Sequence, residues 1–434
     1  MDALLIAGLG IGGMFLLILL HVPIGVAMGV AGVVGFALLT GPEPALAVLK
    51  IELAGLLTSR ELAVIPLFLF MGGLAGGAGL SDDLYRLFTA FIGHRRGGLS
   101  LATIGSCAGF GAVSGSSLAT AVTMGRIALP QMMSRGYKAS IATGTVAAGG
   151  TLGMLIPPSL VMIIYAVLTE QFVITMFVAA IVPGLLAVAL HIVAIIIYTR
   201  LDPAVAPVGP AFVWRERLIA VAQSWRILTI ATVMTVGLYG GFLTVEEAAA
   251  TGAAMTFLFA LVGGRLNLTK LKAIVFQAAS STATIYLIIL GASVFTYFIS
   301  VSQVTRYMVD FITSLGLSNT TVILALLLMY LILGSVFETI SSIVITLPFV
   351  FPLIVGMGYD PIWWGVMMVM VIEIGLITPP IGMNVFVIHS VAPKVPLRTI
   401  YLGTLPFLTA DIVRLGLVVA FPALALWLPG VLGF

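Results

Sequence analysis

One motif occurs twice in this sequence, and both copies interrupt long apolar stretches. Gly153 is followed four residues later by Pro157-Pro158, and 222 residues further along Gly375 is followed by Pro379-Pro380. Proline lacks a backbone N–H and disrupts the helix around it, so each diproline breaks its helix. In lipid, an unwound backbone is tolerated only where protein or a watery cavity satisfies its polar groups. The first break, residues 153–158, and the second break, residues 375–380, therefore predict a paired site inside a membrane.

Composition supports a membrane location for these breaks. Of 434 residues, 61% are hydrophobic and 8% are charged, and many apolar runs approach the 20 or so residues that span a bilayer. The single Cys107 excludes an internal disulfide and a multi-cysteine metal site. No phosphate-binding glycine loop is present, which argues against an ATP-driven pump. The net charge of +3 reports loop orientation rather than nucleic-acid binding, and we expect a polytopic membrane protein that is not an enzyme.

Two segments are predicted to enter the membrane and return to the same side. Residues 97–134 lie between two basic clusters and form two arms of 16 residues, roughly 24 Å each and shorter than the ~30 Å hydrocarbon core. A small polar turn of residues 114–117 joins them, which favours a re-entrant hairpin over two short spans. Helix packing through small residues is the alternative explanation for these serines. Residues 318–358 contain no Lys or Arg and predict a second hairpin.

The 222-residue offset extends beyond the diprolines and predicts two repeats. Lys50 matches Lys272, and Gly136-Tyr137 matches Gly358-Tyr359. Loop charges place the two copies in opposite orientations, with both termini on the periplasmic side. We predict an all-α polytopic protein of two inverted-topology repeats, each with a re-entrant hairpin and a discontinuous helix. The boundaries are a first repeat at 1–200 with its broken helix at 139–169, a connector loop at 201–225, and a second repeat at 226–434 with its broken helix at 359–390.

Several other elements have simpler structural interpretations. Residues 45–57 are predicted to be an interfacial arm, and a final helix near 401–428 is predicted to cross the membrane. Asp411 and Arg414, three residues apart, are predicted to form a structural ion pair. Trp363 and Trp364 lie near a predicted helix boundary and read as interface anchors.

The residue types at the two breaks predict chemistry for a hard cation and an organic anion. Unwound carbonyls and serine hydroxyls suit a dehydrated Na⁺, and half-helix N-termini present N–H groups to a carboxylate. Two acidic residues lie beside the second hairpin tip and the second break, where each could be a coupling carboxylate, a proton site or a helix-terminus partner; they are Glu338 and Glu373. The candidates for contact with substrate are Ser116, Ser117, Thr339 and Asn384.

Four motifs together resemble the large membrane subunit of tripartite ATP-independent periplasmic (TRAP) transporters. They are the segments at 110–117, 150–159, 183–186 and 378–384, the last reading Thr378-Pro379-Pro380-Ile381-Gly382-Met383-Asn384. The resemblance covers nearly the whole chain. It implies Na⁺-coupled import of a carboxylate such as a C4-dicarboxylate or sialic acid across the bacterial inner membrane, by an elevator mechanism and without a cofactor.

The same resemblance implies partners and ion ligands. A periplasmic binding protein would deliver the substrate, and a small four-helix membrane subunit would accompany this chain. A self-sufficient Na⁺- or H⁺-coupled carboxylate carrier is the alternative. The implied Na⁺ ligands form two sets, Ser114 with Gly153, Ile156 and Pro158, and Gly334 with Gly375, Thr378 and Ile381.

Overall fold

The computed structural model describes residues 3–209 and 211–434, and every regular element in these ranges is a helix. Seven of the described helices are long and apolar enough to cross a membrane, and the count rises to nine if each of two bent pairs is one span. The prediction of an all-α polytopic membrane protein is therefore confirmed.

One group of helices, which we call the frame helices, packs mainly on one another. The apolar helix α2 lies along α14, while α4 packs on both α13 and α14. Gly32 allows the close approach of α2 to α14, because a Cβ there would lie 2.8 Å from the backbone nitrogen of Phe295. The frame helices are α1 (Ala3–Leu19), α2 (Ile24–Thr40), α3 (Pro42–Thr58), α4 (Val64–Gly77), α12 (Trp225–Tyr239), α13 (Val245–Val262) and α14 (Leu268–Ser302), with a short 3-10 turn at Glu61–Ala63 before α4.

A second group, the site helices, contains both hairpins and both broken helices. The first broken helix packs on both arms of the first hairpin, and the second broken helix packs on both arms of the second. The long helix α20 packs on both broken helices. The site helices are α6 (Gly98–Ser114), α7 (Ser117–Ser134), α8 (Ala139–Leu155), α9 (Leu160–Leu168), α10 (Val173–Leu201), α16 (Asn319–Val336), α17 (Thr339–Gly356), α18 (Pro361–Gly375), α19 (Met383–Val391) and α20 (Leu397–Ala420).

The hairpin arms begin and end almost where the sequence placed them, and local chemistry explains why. At the first tip Gly115 adopts a left-handed φ of +61°, which ends α6 at little steric cost. Ser116 then begins α7 as its N-cap, since its hydroxyl accepts the Ala119 N–H at 3.4 Å. Glu338 occupies the matching N-cap position of the second hairpin and accepts the Ser341 N–H at 3.2 Å. Both side chains therefore act as N-caps, a role for which each offers an oxygen atom that accepts a backbone N–H.

Four short helices complete the described part of the chain: α5 (Leu80–Ile92), α11 (Trp214–Gln223), α15 (Val304–Ser314) and α21 (Ala423–Leu432). The connector, predicted to be a loop, is partly helical, and its helix α11 packs on α5. The predicted final helix is also divided, since α20 ends at Ala420 and Pro422 precedes α21.

The two adjacent tryptophans of α18 are core residues rather than interface anchors. Trp363 is 2% exposed and Trp364 is fully buried. The indole N–H of Trp363 donates to the Val418 carbonyl at 3.1 Å. The anchoring interpretation was wrong because α18 is covered by other helices over its whole length, which no pattern in α18 itself reveals.

Candidate cation and substrate site

The first break lies against the tip of the first hairpin. Helix α8 ends at Leu155 and α9 starts at Leu160, leaving residues 156–159 outside any helix. The Leu160 N–H donates to the Gly115 carbonyl of the tip at 3.4 Å. A Cβ on Gly153 would lie 2.8 Å from the Ser116 carbonyl oxygen. Only glycine permits this approach, so the tip and the end of α8 meet backbone to backbone.

Two carbonyls of the first break have no hydrogen-bond donor within the described part of the chain. The regular helix partners of Gly153 and Met154 would be the N–H groups of residues 157 and 158, and both are prolines. These carbonyls belong to the end of a half-helix, where the dipole is negative. The break therefore offers unpaired oxygen atoms at a place where a cation is favoured.

Ser114 brings a hydroxyl to the same place. Its side chain is 4% exposed, and its Oγ lies 2.9 Å from the Oγ1 of Thr120 on the other arm of the hairpin. A Cβ on Gly153 would meet that Thr120 hydroxyl at 2.7 Å. On the opposite side, a Cβ on Gly72 of frame helix α4 would lie 3.1 Å from the Cα of Ser114. Thr120 and Gly72 were not selected from the sequence, because neither stands in a motif and only the fold brings them to the tip.

The other two residues of the first predicted set also lie at the tip. The Pro158 carbonyl oxygen is 3.2 Å from the position a Cβ would take on Gly115. Ile156 follows directly after α8 as its C-cap. The structure thus places all four members of the first predicted ligand set, with the hairpin tip, in one region: Ser114, Gly153, Ile156 and Pro158.

The second break has the same close contact with its own hairpin. A Cβ on Gly375 would lie 2.5 Å from the carbonyl carbon of Gly334, and a Cβ on Gly334 would lie 2.8 Å from the Ile372 carbonyl oxygen. The Gly382 N–H donates to the Ser335 carbonyl at 2.9 Å, as the Leu160 N–H does to the first tip. Both hairpins are therefore fastened to their broken helices by the same kind of bond.

The second break differs in that several of its carbonyls already have donors. The Thr378 N–H donates to the Gly375 carbonyl at 3.0 Å, and the Thr378 hydroxyl donates to the Ile374 carbonyl at 2.6 Å. From α20, the Tyr401 hydroxyl lies 2.5 Å from the Ile381 carbonyl. The two breaks are alike in their backbone contacts with the hairpins. They differ in that the Gly375 carbonyl has a donor, whereas the Gly153 carbonyl has none in the described part of the chain.

Asn384, a predicted substrate contact, joins the two halves of the site. It lies on α19, and its side chain is fully buried. Its Nδ2 donates to Ser117 Oγ at 2.8 Å and to the Ala147 carbonyl of α8 at 3.1 Å. Ser117, also a predicted substrate contact, is itself fully buried at the start of α7. In this conformation both side chains face each other.

The remaining predicted substrate contacts lie at the two tips. Ser116 is half-buried at the first tip. Thr339 is fully buried at the start of α17, and its hydroxyl has no hydrogen-bond partner in the part of the chain that is described. Glu338 caps the start of α17 through its Oε2.

Glu373 belongs to a buried ionic cluster behind the second break. Its Oε2 lies 3.7 Å from Arg414 Nη2 of α20. Arg414 also pairs with Asp411 at 3.1 Å, which confirms the predicted pair, and Asp411 Oδ1 lies 3.1 Å from His191 Nε2 of α10. All four side chains are at most 2% exposed. Glu373 therefore faces α20 rather than an open cavity.

Comparison with known proteins decides the family. The model of the tripartite ATP-independent periplasmic transporter, DctM component, matches residues 11–424. The chain belongs to the DctM family. One relative of this DctM-family chain is the C4-dicarboxylate TRAP transporter large permease protein DctM of Pseudomonas aeruginosa, 36% identical over 86% of this chain and 87% of that protein. Another is the sialic acid TRAP transporter large permease protein SiaM of Vibrio cholerae, 28% identical over 87% and 88%.

Solved structures show the same fold. The YdaH transporter of Alcanivorax borkumensis superimposes with a TM-score of 0.65 at 17% identity, over 89% of this chain and 90% of that one. The DctM-family chain is thus a multi-pass membrane subunit of a TRAP transporter, a class of transporter rather than of enzyme.

Proposed function

We propose that this chain is the transport subunit of a Na⁺-coupled TRAP system that imports an organic carboxylate across the bacterial inner membrane. A periplasmic binding protein would deliver the substrate, and a small membrane subunit would complete the assembly. The relatives named for C4-dicarboxylates and sialic acid favour a carboxylate. The observation that carries the proposal is the first break, where unpaired carbonyls meet the hydroxyl of Ser114.

The chemistry at that break favours Na⁺ over a proton or a divalent ion. Carbonyl and hydroxyl oxygens are hard, uncharged ligands, and the first predicted ligand set contains no carboxylate. A neutral oxygen cage at a half-helix end suits a singly charged cation. In the predicted ligand set of the second break, the carbonyls of Gly375 and Ile381 already accept protein hydrogen bonds. This set would form the weaker of two Na⁺ sites.

The arrangement of the helices supports an elevator mechanism with inverted repeats. Both hairpins and both broken helices belong to the site helices, and Asn384 of α19 bonds to Ser117 of α7 and Ala147 of α8. A cavity of about 790 Å³ lies between frame helices α3 and α14 and site helices α9 and α17. Moving the site helices as one body along the frame would carry both breaks together and would leave their internal contacts unchanged.

Reconstitution in liposomes tests this proposal. Succinate and sialic acid uptake would be measured with and without a Na⁺ gradient, the small subunit and the binding protein. We expect uptake only when all three are present. Uptake by this chain alone would favour the self-sufficient carrier, and uptake without Na⁺ would refute the assignment of the first break.

The Gly153→Ala variant provides the matching test of the site. Because its Cβ would meet the Ser116 carbonyl oxygen at 2.8 Å, Na⁺-dependent uptake should fall while protein yield is retained. Gly416→Ala is the control, since a Cβ on Gly416 meets no atom within 4 Å.

A further inference from the structure

A second cavity lies far from the breaks, at the base of the first hairpin. It has a volume of about 200 Å³ and lies between α5, the end of α7 and the connector helix α11. A water molecule takes up about 30 Å³ of liquid, so this volume admits a small organic or inorganic ion. The basic clusters nearby predict that this side faces the cytoplasm.

Three buried hydrogen-bonding groups in its wall are not fully satisfied. They are the hydroxyls of Tyr85 and Thr89 on α5, which interact with each other, and the Nη1 of Arg135 at the end of α7. None of the three makes a hydrogen bond of ordinary geometry among the described residues. Tyr85 is fully buried and Thr89 is 4% exposed. Buried polar groups are normally paired, because leaving one unpaired destabilises the folded protein. Three such groups in one wall indicate a ligand that would satisfy them.

The charge of the cavity indicates the sign of that ligand. Arg86 and Arg135 both line it, and among the described residues of its lining Glu216 is the only acidic one. The Glu216 Oε2 accepts the Val213 N–H at 3.0 Å and so holds the start of its own helix. Burial raises the pKa of Tyr85 to about 12, so its hydroxyl remains a donor at neutral pH. The wall therefore presents donors and positive charge.

We propose that this cavity is a binding site for a small oxyanion, a carboxylate or a phosphate, held by Arg135 and the hydroxyls of Tyr85 and Thr89. The site joins the base of the first hairpin to α5 and α11. Helix α11 is itself fixed on α5, because the Ser224 hydroxyl donates to the Asp83 carbonyl at 2.8 Å. An anion bound here would connect the hairpin to both helices. The site does not depend on the proposed transport cycle.

Binding is measured without transport, on the purified chain in nanodiscs and in Na⁺-free choline buffer. The thermal unfolding midpoint, read from tryptophan fluorescence, is followed against succinate, inorganic phosphate and chloride at equal ionic strength. We expect succinate or phosphate to raise the midpoint and chloride not to. Whichever of the two acts identifies the ligand class, and either result supports the site.

Two variants locate the binding. Arg135→Gln should raise the apparent dissociation constant about tenfold, as expected for a lost charge-assisted hydrogen bond. Tyr85→Phe should raise it severalfold, and it keeps the size of the side chain in case Arg135→Gln folds poorly. Arg95→Gln, a change of an exposed arginine on the same face, should leave the constant unchanged.

Two results would overturn the proposal. One is a midpoint that succinate and phosphate shift no more than chloride does, which would mean that the cavity holds water. The other is a shift that Arg135→Gln leaves intact but Gly153→Ala removes, which would place the anion at the break. Because the buffer contains no Na⁺, failure here leaves the Na⁺-coupled function standing.

Discussion

The contact between Gly375 and Gly334 gives the sharpest test of how a break works. A Cβ on Gly375 would lie 2.5 Å from the Gly334 carbonyl carbon, whereas ordinary contacts begin at 3.4 Å. Gly375→Ala must therefore push the second break and its hairpin apart by about 0.9 Å. Binding constellations tolerate displacements of about 0.5 Å. Both residues belong to the second predicted Na⁺ ligand set, so the substitution should disturb ion binding directly.

The size of the effect follows from the cost of overpacking. Forcing an extra methyl group into a closed contact costs about 1–3 kcal/mol. If Na⁺ binding requires the contact to close, this cost weakens Na⁺ binding roughly 5- to 150-fold. The Na⁺ concentration for half-maximal uptake should rise by that factor in reconstituted liposomes. Gly416→Ala, where a Cβ meets no atom within 4 Å, should behave like the unmodified chain.

The experiment has a clear negative result. If Gly375→Ala folds and requires the same Na⁺ concentration as the unmodified chain, the second break does not close around an ion. Gly153→Ala measured in parallel would then show whether the first break carries the Na⁺ dependence alone.

Three further predictions concern stability, each measured as the thermal midpoint in detergent. Asn384→Ala leaves a buried hydroxyl and a buried carbonyl without their donor and should destabilise the chain by about 1–3 kcal/mol; an unchanged midpoint would mean that the halves are not joined there. Arg414→Met leaves two buried carboxylates without their cation and should cost about 3–5 kcal/mol, whereas a gain in stability would contradict a balanced cluster. Asp202 accepts a hydrogen bond from Lys138 at 2.7 Å, and that bond lowers the pKa of Asp202 from 3.8. Its contribution to folding stability is therefore present at neutral pH and is lost as the pH falls through the lowered value. Asp202→Asn should lower the midpoint at pH 7, and the difference should close below about pH 3.8.

Much of the architecture could be predicted because its causes are local. Proline and glycine set the positions of both breaks, and short apolar arms around a polar turn placed both hairpins within a few residues. The short helices were harder to predict. Helix α11 depends on burial against α5, and the division between α20 and α21 depends on how strongly Pro422 interrupts an otherwise continuous apolar run.

The site was only partly predictable, because some of its members come from distant parts of the chain. The first ligand set was implied by the family resemblance, and its members all belong to one motif and its hairpin. Tyr401, which bonds the Ile381 carbonyl, lies 20 residues away on another helix and carries no motif. The contact between Ser117 and Asn384 spans 267 residues, so residue type suggested two polar groups without revealing that they meet.

That long separation has a consequence for how the protein is made. Ser117 leaves the ribosome long before Asn384, and at about 5–20 residues per second the delay for 267 residues is roughly 13 to 53 s. During this interval the first hairpin has been synthesised but lacks its partner from the second half. The nascent first half therefore remains in the membrane without its partner helices for this time. An insertase or another membrane protein could cover its unpaired polar tip until the second half is inserted.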